Sequence, residues 1–224
     1  MEAVDLDPIL LTLQVAIVAT LINVPVALAV SWLVVKRRVP GRILIEALVS
    51  LPLALPPVAI GLFLLLLLGR EGPVGRVLDD LLGVEIVFTW VAAAIASAVV
   101  SFPLMARAIM VAMGEVDDRL EMSARSLGAS PMRVALTITI PLAYRGILAG
   151  LLLGFVRALS EFGATITVAG NIPGRTQTLS LAIYQKVQTR DDDAALALAG
   201  VSVALALATL LVHNWLLERG RRAR

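Results

Sequence analysis

Apolar residues in this chain gather into long runs separated by short charged stretches, and the runs are of membrane-crossing length. A hydrocarbon core about 30 Å thick takes roughly 20 helical residues. Runs that meet this length extend from about Ile9 to Val35, Ile43 to Leu68, Ile86 to Met105, Pro141 to Ala169 and Ala194 to Leu217. The first three end at or near Lys36-Arg37-Arg38, Gly69-Arg70 and Arg107. The first run is too long for the apolar core of a signal peptide and lacks a small-residue cleavage pattern, so it reads as a helix. The expected fold class is all-α: a polytopic membrane protein of five transmembrane helices, one domain over residues 1–224.

The basic residues orient these spans. With the N-terminus outside, the inner segments hold Lys36, Arg37, Arg38, Arg42, Arg107, Arg119, Arg125, Arg133, Arg145, Arg219, Arg221, Arg222 and Arg224. The outer segments hold Arg70, Arg76, Arg175, Lys186 and Arg190, while Arg157 falls within an apolar run. Glu2, Asp5 and Asp7 give the outer N-terminus an acidic character. This is the positive-inside pattern of a multi-pass inner-membrane protein with a cytoplasmic C-terminus. An even number of spans would place the Arg-rich tail outside, against that pattern.

Composition then narrows the chemistry. At 59% hydrophobic, 16% charged and a mean hydropathy of +0.92, the chain is too apolar for a soluble domain of 224 residues. Zero Cys and a single His remove thiolate sites, cysteine nucleophiles and the usual zinc sets and triads. The pI near 9.5 suggests nucleic acid, but the basic residues flank apolar runs and no nucleic-acid partner is expected. No phosphate-binding G-x-x-x-x-G-K-[ST] sequence occurs, so ATP is not expected to be hydrolysed by this chain.

Between the third and fourth runs, residues 111–141 form a polar interval that reads as two short helices. Asp118 with Glu121 three residues later resembles a capping box, Leu120, Ala124 and Leu127 recur at helical spacing, and Gly128 is a natural stop. Ser130-Pro131 restarts a helix with a capping serine and proline at the first helical position. A helical hairpin held at both ends by membrane spans has the shape of a docking surface. The plain alternative is a connector.

At this interval the sequence resembles the membrane-spanning subunits of bacterial ABC importers, whose cytoplasmic loop reads Glu-Ala-Ala, three residues, Gly, nine residues, Ile, one residue, Leu-Pro. Ser123-Ala124 stand for the alanines, Gly128 for the glycine and Ile138-Thr139-Ile140-Pro141 for the ending. Met122 occupies the place of the Glu and Glu121 lies one residue earlier, a rotation of about 100° on a helix, which favours a capping role for Glu121 over a partner contact. Further on, Arg157 to Thr176 is similar to the oxyanion branch of that family, nearest the molybdate permeases, with sulfate permeases sharing much of the pattern. Leu51-Pro-Leu-Ala-Leu-Pro-Pro-Val, Ser101-Phe-Pro-Leu-Met-Ala-Arg and Tyr184-Gln-Lys-Val-Gln-Thr fit as well.

The resemblance implies an importer permease for molybdate or tungstate, with sulfate or thiosulfate as the second choice. It implies two cytoplasmic ATPase subunits that carry the ATP and Mg, no cofactor in this chain, and a periplasmic or lipid-anchored oxyanion-binding protein. One five-helix chain offers too little wall for a closed path, so a second copy around a twofold axis is expected, surrounded by membrane lipid. Arg119, Glu121, Ser123, Ala124, Arg125, Gly128 and Ala129 would form the region coupled to the ATPase. A secondary anion transporter or channel is the rival from another class and leaves the hairpin without a purpose. A non-transporting scaffold is the other.

Charged groups inside a membrane are costly and mark a pathway by default. Counting from Arg145 at about 1.5 Å per residue puts Arg157 about 18 Å into the bilayer, past its midplane. Arg157, Ser160 and Glu161 are therefore the candidate anion route, the alternative being an i,i+4 ion pair that only fixes packing. Of the prolines within the runs, Pro25, Pro52, Pro56, Pro57 and Pro103, the group Pro52, Pro56 and Pro57 is the candidate hinge or gate, against a static kink. The outer segment from Gly170 to Asp193 is long enough for a short helix near Leu179 to Val187, and Asn171, Pro173, Gly174 and Arg175 are candidate docking residues for the binding protein. Asp191 to Asp193 suit the start of the fifth span. His213 and Trp215 read as an interfacial anchor.

Overall fold

A computed structural model of the chain describes residues 6–37 and 39–221, with side chains described as far as Trp215. Glu2, Asp5, Arg38, Arg222 and Arg224, and the side chains of Arg219 and Arg221, all used in the charge argument, lie outside the described residues. Every regular element among the described residues is helical. In chain order they are α1 (Asp7–Val35), α2 (Arg42–Ala54), α3 (Pro57–Leu68), α4 (Pro73–Leu82), α5 (Trp90–Gly114) and α6 (Asp118–Ser126). There follow α7 (Pro131–Val134), a π-helical turn (Ala135–Thr139), α8 (Ile140–Leu159), α9 (Gly163–Val168), α10 (Leu179–Gln188) and α11 (Asp192–Arg221).

Among the described residues, four continuous helices are long and apolar enough to cross a membrane: α1, α5, the run from Pro131 to Leu159, and α11. The second apolar run is not a straight span, because α2 and α3 meet at 107° and count as a fifth crossing only as a bent pair. Pro56 and Pro57 explain the bend: neither has an amide hydrogen, and Leu55 before them is extended. The fourth run is also shifted. Its helix starts at Pro131 and stops at Leu159, and the remaining apolar residues form the separate α9. Pro25, Pro52 and Pro103 lie inside unbroken helices.

α5 is the centre of the bundle, and its neighbours approach it through small residues and polar side chains. Ala92, Ala93, Ala94, Ala96 and Ala98 are all buried on it. α8 faces it with Gly146, Gly150 and Gly154, one per turn. A Cβ on Gly146 would lie 2.4 Å from the Ala112 Cβ, one on Gly150 3.1 Å from the Ala108 Cβ, and one on Gly154 2.7 Å from the Met105 Cε. Such small-residue stripes let helix backbones pack closely where lipid removes the hydrophobic drive to associate. On the other side, Asn23 of α1 donates to the Ala98 carbonyl at 2.9 Å and to Ser101 Oγ at 3.2 Å, and Ser31 donates to the Ala106 carbonyl at 3.2 Å. Thr12 Oγ1 accepts from the Leu179 amide at 2.7 Å, which ties the start of α10 to α1.

The α5–α8 contact should therefore be intolerant of one methyl group. Gly146→Ala is expected to destabilise the detergent-solubilised protein by about 1–3 kcal/mol through overpacking. Gly200→Ala, on α11 where a Cβ meets nothing within 4 Å, should leave the melting midpoint unchanged or slightly raised. Thermal unfolding followed by intrinsic fluorescence checks the pair.

Candidate functional site

Two helix interruptions come together inside the bundle. One is the bend at Leu55–Pro56. The other is the break between α8 and α9, where Phe162 leaves helical geometry with φ −133° and ψ −55°. Gly163, at the start of α9, sits so close to α3 that a Cβ would lie 3.0 Å from the Pro57 Cβ and 3.3 Å from the Val58 nitrogen. One turn on, a Cβ at Gly61 would come within 2.6 Å of the Ala164 carbonyl oxygen. The two short helices thus ride directly on each other. The level is well inside the bundle: Ala158 packs with Ala16 and Ala19 of α1 and with Ala98, about 12 Å along α5 from its start at Trp90.

The charges of the fourth run sit at this break. Arg157 lies in the last turn of α8, and its Nη2 meets Glu161 Oε2 at 2.9 Å. Glu161 is buried, its side chain only 2% exposed, whereas that of Arg157 is 26% exposed. The second carboxylate oxygen, Oε1, accepts from the Ala164 amide at 2.8 Å. Glu161 therefore satisfies a backbone N–H that the break would leave bare and neutralises Arg157 at the same time. Ser160 is exposed beside them and donates to the Arg157 carbonyl at 3.2 Å. The structure thus gathers Arg157, Ser160 and Glu161 at the break, and Gly163, two residues beyond Glu161, packs on Pro57. Pro52 lies a turn away, half-buried within α2.

At this far end of the bundle the loop after α9 is held by Gln177, Thr176 and Gln185, which the sequence did not single out as site residues, together with Asn171, which it did. Gln177 donates to Asn171 Oδ1 at 3.0 Å and to Gln185 Oε1, and Thr176, fully buried, receives the Ile172 amide at 3.0 Å. Pro173, Gly174 and Arg175 are left exposed at the tip, with Gly174 at φ +71°. The Phe162 ring stands 5.1 Å from the Tyr184 ring, which links α10 to the break. The expected short helix is α10, and the expected acidic start of the last span is α11. Lys186 Nζ donates to Asp191 Oδ2 at 2.7 Å and, with the Ala194 amide, holds that carboxyl below its usual range. On the acid side, the stabilisation from this carboxylate is fully present above ordinary carboxylate titration and is lost as pH falls through the depressed value.

At the opposite end, the hairpin forms with a different cap from the one expected. Asp117, not Asp118, caps α6, its side chain accepting from the Arg119 amide at 2.9 Å. Glu121 caps nothing: it is turned inward, 5% exposed, and accepts from Thr139 Oγ1 at 2.8 Å. Gly128 does end the helix, at φ +86°, with Gly128 N–H to the Arg125 carbonyl and Ala129 N–H to the Ala124 carbonyl, a Schellman pair. Ser130 caps the next helix from Arg133, as expected. Arg119, Ser123, Arg125 and Gly128 are exposed, together with Leu120, Met122, Leu127 at 90%, Met132 and Leu136. That is an apolar, basic-rimmed surface on a hairpin fixed at both ends.

A family model described as the binding-protein-dependent transport system inner membrane component matches residues 23–222. The chain belongs to this family. It is 45% identical over 214 residues to the molybdenum transport system permease protein ModB of Escherichia coli K12, covering 95% of this chain and 93% of that protein. To the protein of the same name from Haemophilus influenzae it is 44% identical over 216 residues, covering 96% and 94%. To the sulfate transport system permease protein CysT of Salmonella typhimurium it is 36% identical over 212 residues, covering 94% of this chain and 76% of that one. Among solved structures, a chain of the inward-facing MetNI methionine ABC transporter matches with TM-score 0.66 at 18% identity, covering 93% and 94%. A chain of a bacterial alginate importer matches with TM-score 0.73 at 18% identity, covering 96% and 79%. The fold is that of these transporter chains, and this chain is a multi-pass membrane permease subunit.

The charge pair at the break carries a separable structural cost. Arg157→Met should strand the buried Glu161 carboxylate and destabilise the protein, toward the lower end of the about 3–5 kcal/mol typical of a broken buried pair because Arg157 is partly exposed. Adding Glu161→Gln, which keeps an acceptor for Ala164, should restore most of the loss. Melting midpoints of the two variants and the parent are the measurement.

Proposed function

We propose that this chain is the permease subunit of an ABC importer that carries molybdate or tungstate through the inner membrane. It would act as a homodimer with two cytoplasmic ATPase subunits, which bind the ATP and Mg, and an oxyanion-binding protein outside. The observation that carries the anion is the 45% identity, along nearly the whole chain, to a molybdenum permease, against 36% to a sulfate permease. Sulfate is the second reading on the same footing. The basic residues of the hairpin end support a cytoplasmic hairpin and C-terminus, with the N-terminus outside.

The geometry supports alternating access. The exposed apolar hairpin would seat on the ATPase subunits through Arg119, Ser123, Ala124, Arg125, Gly128 and Ala129, with Glu121 buried behind that surface. Movement there enters α5 across only the three residues 115–117 and enters α8 directly, since Pro131 to Leu159 is one continuous helical run. Arg157 lies in the last turn at the far end of α8. A tilt of α8 therefore shifts the guanidinium, while α9, beyond the break, stays on α3. Arg157 would attract the tetrahedral dianion, and Glu161, already paired with it, would keep the site from holding the anion too long, since conduction requires weak binding. Pro56 and Pro57 would serve as the hinge, and Asn171, Pro173, Gly174 and Arg175 would meet the binding protein.

Molybdate uptake into proteoliposomes holding this chain, its ATPase and its binding protein tests the reading, with sulfate in excess and Gly128→Asp in parallel. Uptake should require ATP, resist sulfate and fall sharply in the variant, where φ +86° and a new charge both disturb the hairpin. Uptake without ATP would remove the importer mechanism, and strong competition would move the anion to sulfate.

A further inference from the structure

The first span has no covalent reason to follow the hairpin. Yet Lys36, the residue after α1, reaches the hairpin's foot some eighty positions along the chain. Its side chain is 3% exposed, and its ammonium meets the Val116 carbonyl at 2.9 Å, Asp118 Oδ1 at 2.9 Å and Glu121 Oε1 at 3.2 Å. The first two are hydrogen bonds and the third is an ion-pair contact, so the ammonium is held from three sides. The same Glu121 oxygen receives Thr139 Oγ1, a fully buried hydroxyl on the last residue of the π-helical turn that leads into α8. Arg125 approaches the other oxygen at 3.8 Å. Among the described residues, two cations, Lys36 and Arg125, and two carboxylates, Asp118 and Glu121, meet here.

We infer that Lys36, Glu121 and Thr139 form a buried clasp that makes α1 move as one body with the hairpin and the foot of α8, and that Glu121 positions these elements without touching the ATPase. A buried, multiply bonded ion pair fixes geometry in a way that an exposed pair does not, because separating it strands charge in a dry place. The consequence reaches the other end of the bundle, where Ala16 and Ala19 of α1 form the wall against Ala158, next to Arg157. Three spans rather than two then transmit the stroke. Displacement of the acid from the Met122 position to Glu121 is what turns the carboxylate inward, while Met122 stays exposed. The inference rests on the importer reading, which supplies the stroke.

The absence of cysteine lets spin labels be placed cleanly at Leu33→Cys and Ser126→Cys, both exposed, in the assembled complex in proteoliposomes. The within-chain distance between the labels should be the same in the nucleotide-free and vanadate-trapped states. In parallel, Lys36→Met and Glu121→Gln should still bind the ATPase and hydrolyse ATP, but use at least about fivefold more ATP per molybdate, the lower range of a coupling energy. Lys36→Arg should recover much of the coupling, a rescue that a generic packing defect would not give. A distance that changes with nucleotide in a complex that transports, or variants with the parental ATP-to-molybdate ratio, would overturn the clasp. If the variants fail to assemble, the distance in the parent decides alone. If the parent shows no ATP-driven uptake, the importer reading fails and the clasp with it.

Discussion

A helix that stops inside a membrane exposes backbone N–H and C=O groups that lipid cannot satisfy, each at a cost of several kcal/mol. This chain stops two helices inside its bundle, at Ala54 and at Leu159, and the rest of the fold is arranged around that constraint. Prolines at 56 and 57 remove two amide hydrogens at the first interruption, and the Pro56 carbonyl takes those of Ala59 and Ile60. At the second, the Glu161 carboxylate takes the Ala164 amide, and Arg157 balances the charge so introduced. A capping carboxylate in such a place needs a cation, and the cation needs a wet or protein-lined face. Polar chemistry at depth follows from the break itself, and transport could use it afterwards.

Placing the two breaks side by side demands close backbones, which glycine supplies. Gly61 and Gly163 let α3 and α9 stack, and Gly146, Gly150 and Gly154 bring α8 onto α5, so that the break lies at a defined height against Ala16, Ala19 and Ala98. Because the α5–α8 contact leaves no room for a methyl group, the two helices can transmit displacement with little slack. A looser leucine-lined contact would absorb it.

Hydropathy made the spans legible, because run length against bilayer thickness is a strong signal. It could not locate the α8–α9 break, since Phe162 to Ala169 is as apolar as the helix before it, and only the pair of charges hinted that something interrupts the run. Gly128 and Ser130-Pro131 were readable because positive φ and capping chemistry are local. The cap at Asp117 was not, as three acids at 115, 117 and 118 compete for one helix start and backbone direction selects among them. Lys36 counted as a topological charge in the sequence and is an internal strut in the fold. Its partners lie eighty residues away, beyond any local pattern.

The inward turn of Glu121 also bears on what the hairpin offers a partner. With that carboxylate committed to Lys36 and Thr139, the exposed surface at α6 and α7 is left with Leu120, Met122, Leu127 and Met132 framed by Arg119, Arg125 and Arg133. A complementary surface would be an apolar groove with acidic edges. Affinity on such a surface comes from the buried apolar centre, whereas the rim charges mainly affect encounter rate and salt sensitivity. A hairpin that holds its partner through apolar contacts and its own spans through a buried ion pair separates docking from transmission. Losing a rim arginine and losing Lys36 should then have different signatures: weaker, salt-dependent assembly in the first case, and intact assembly with idle ATP turnover in the second.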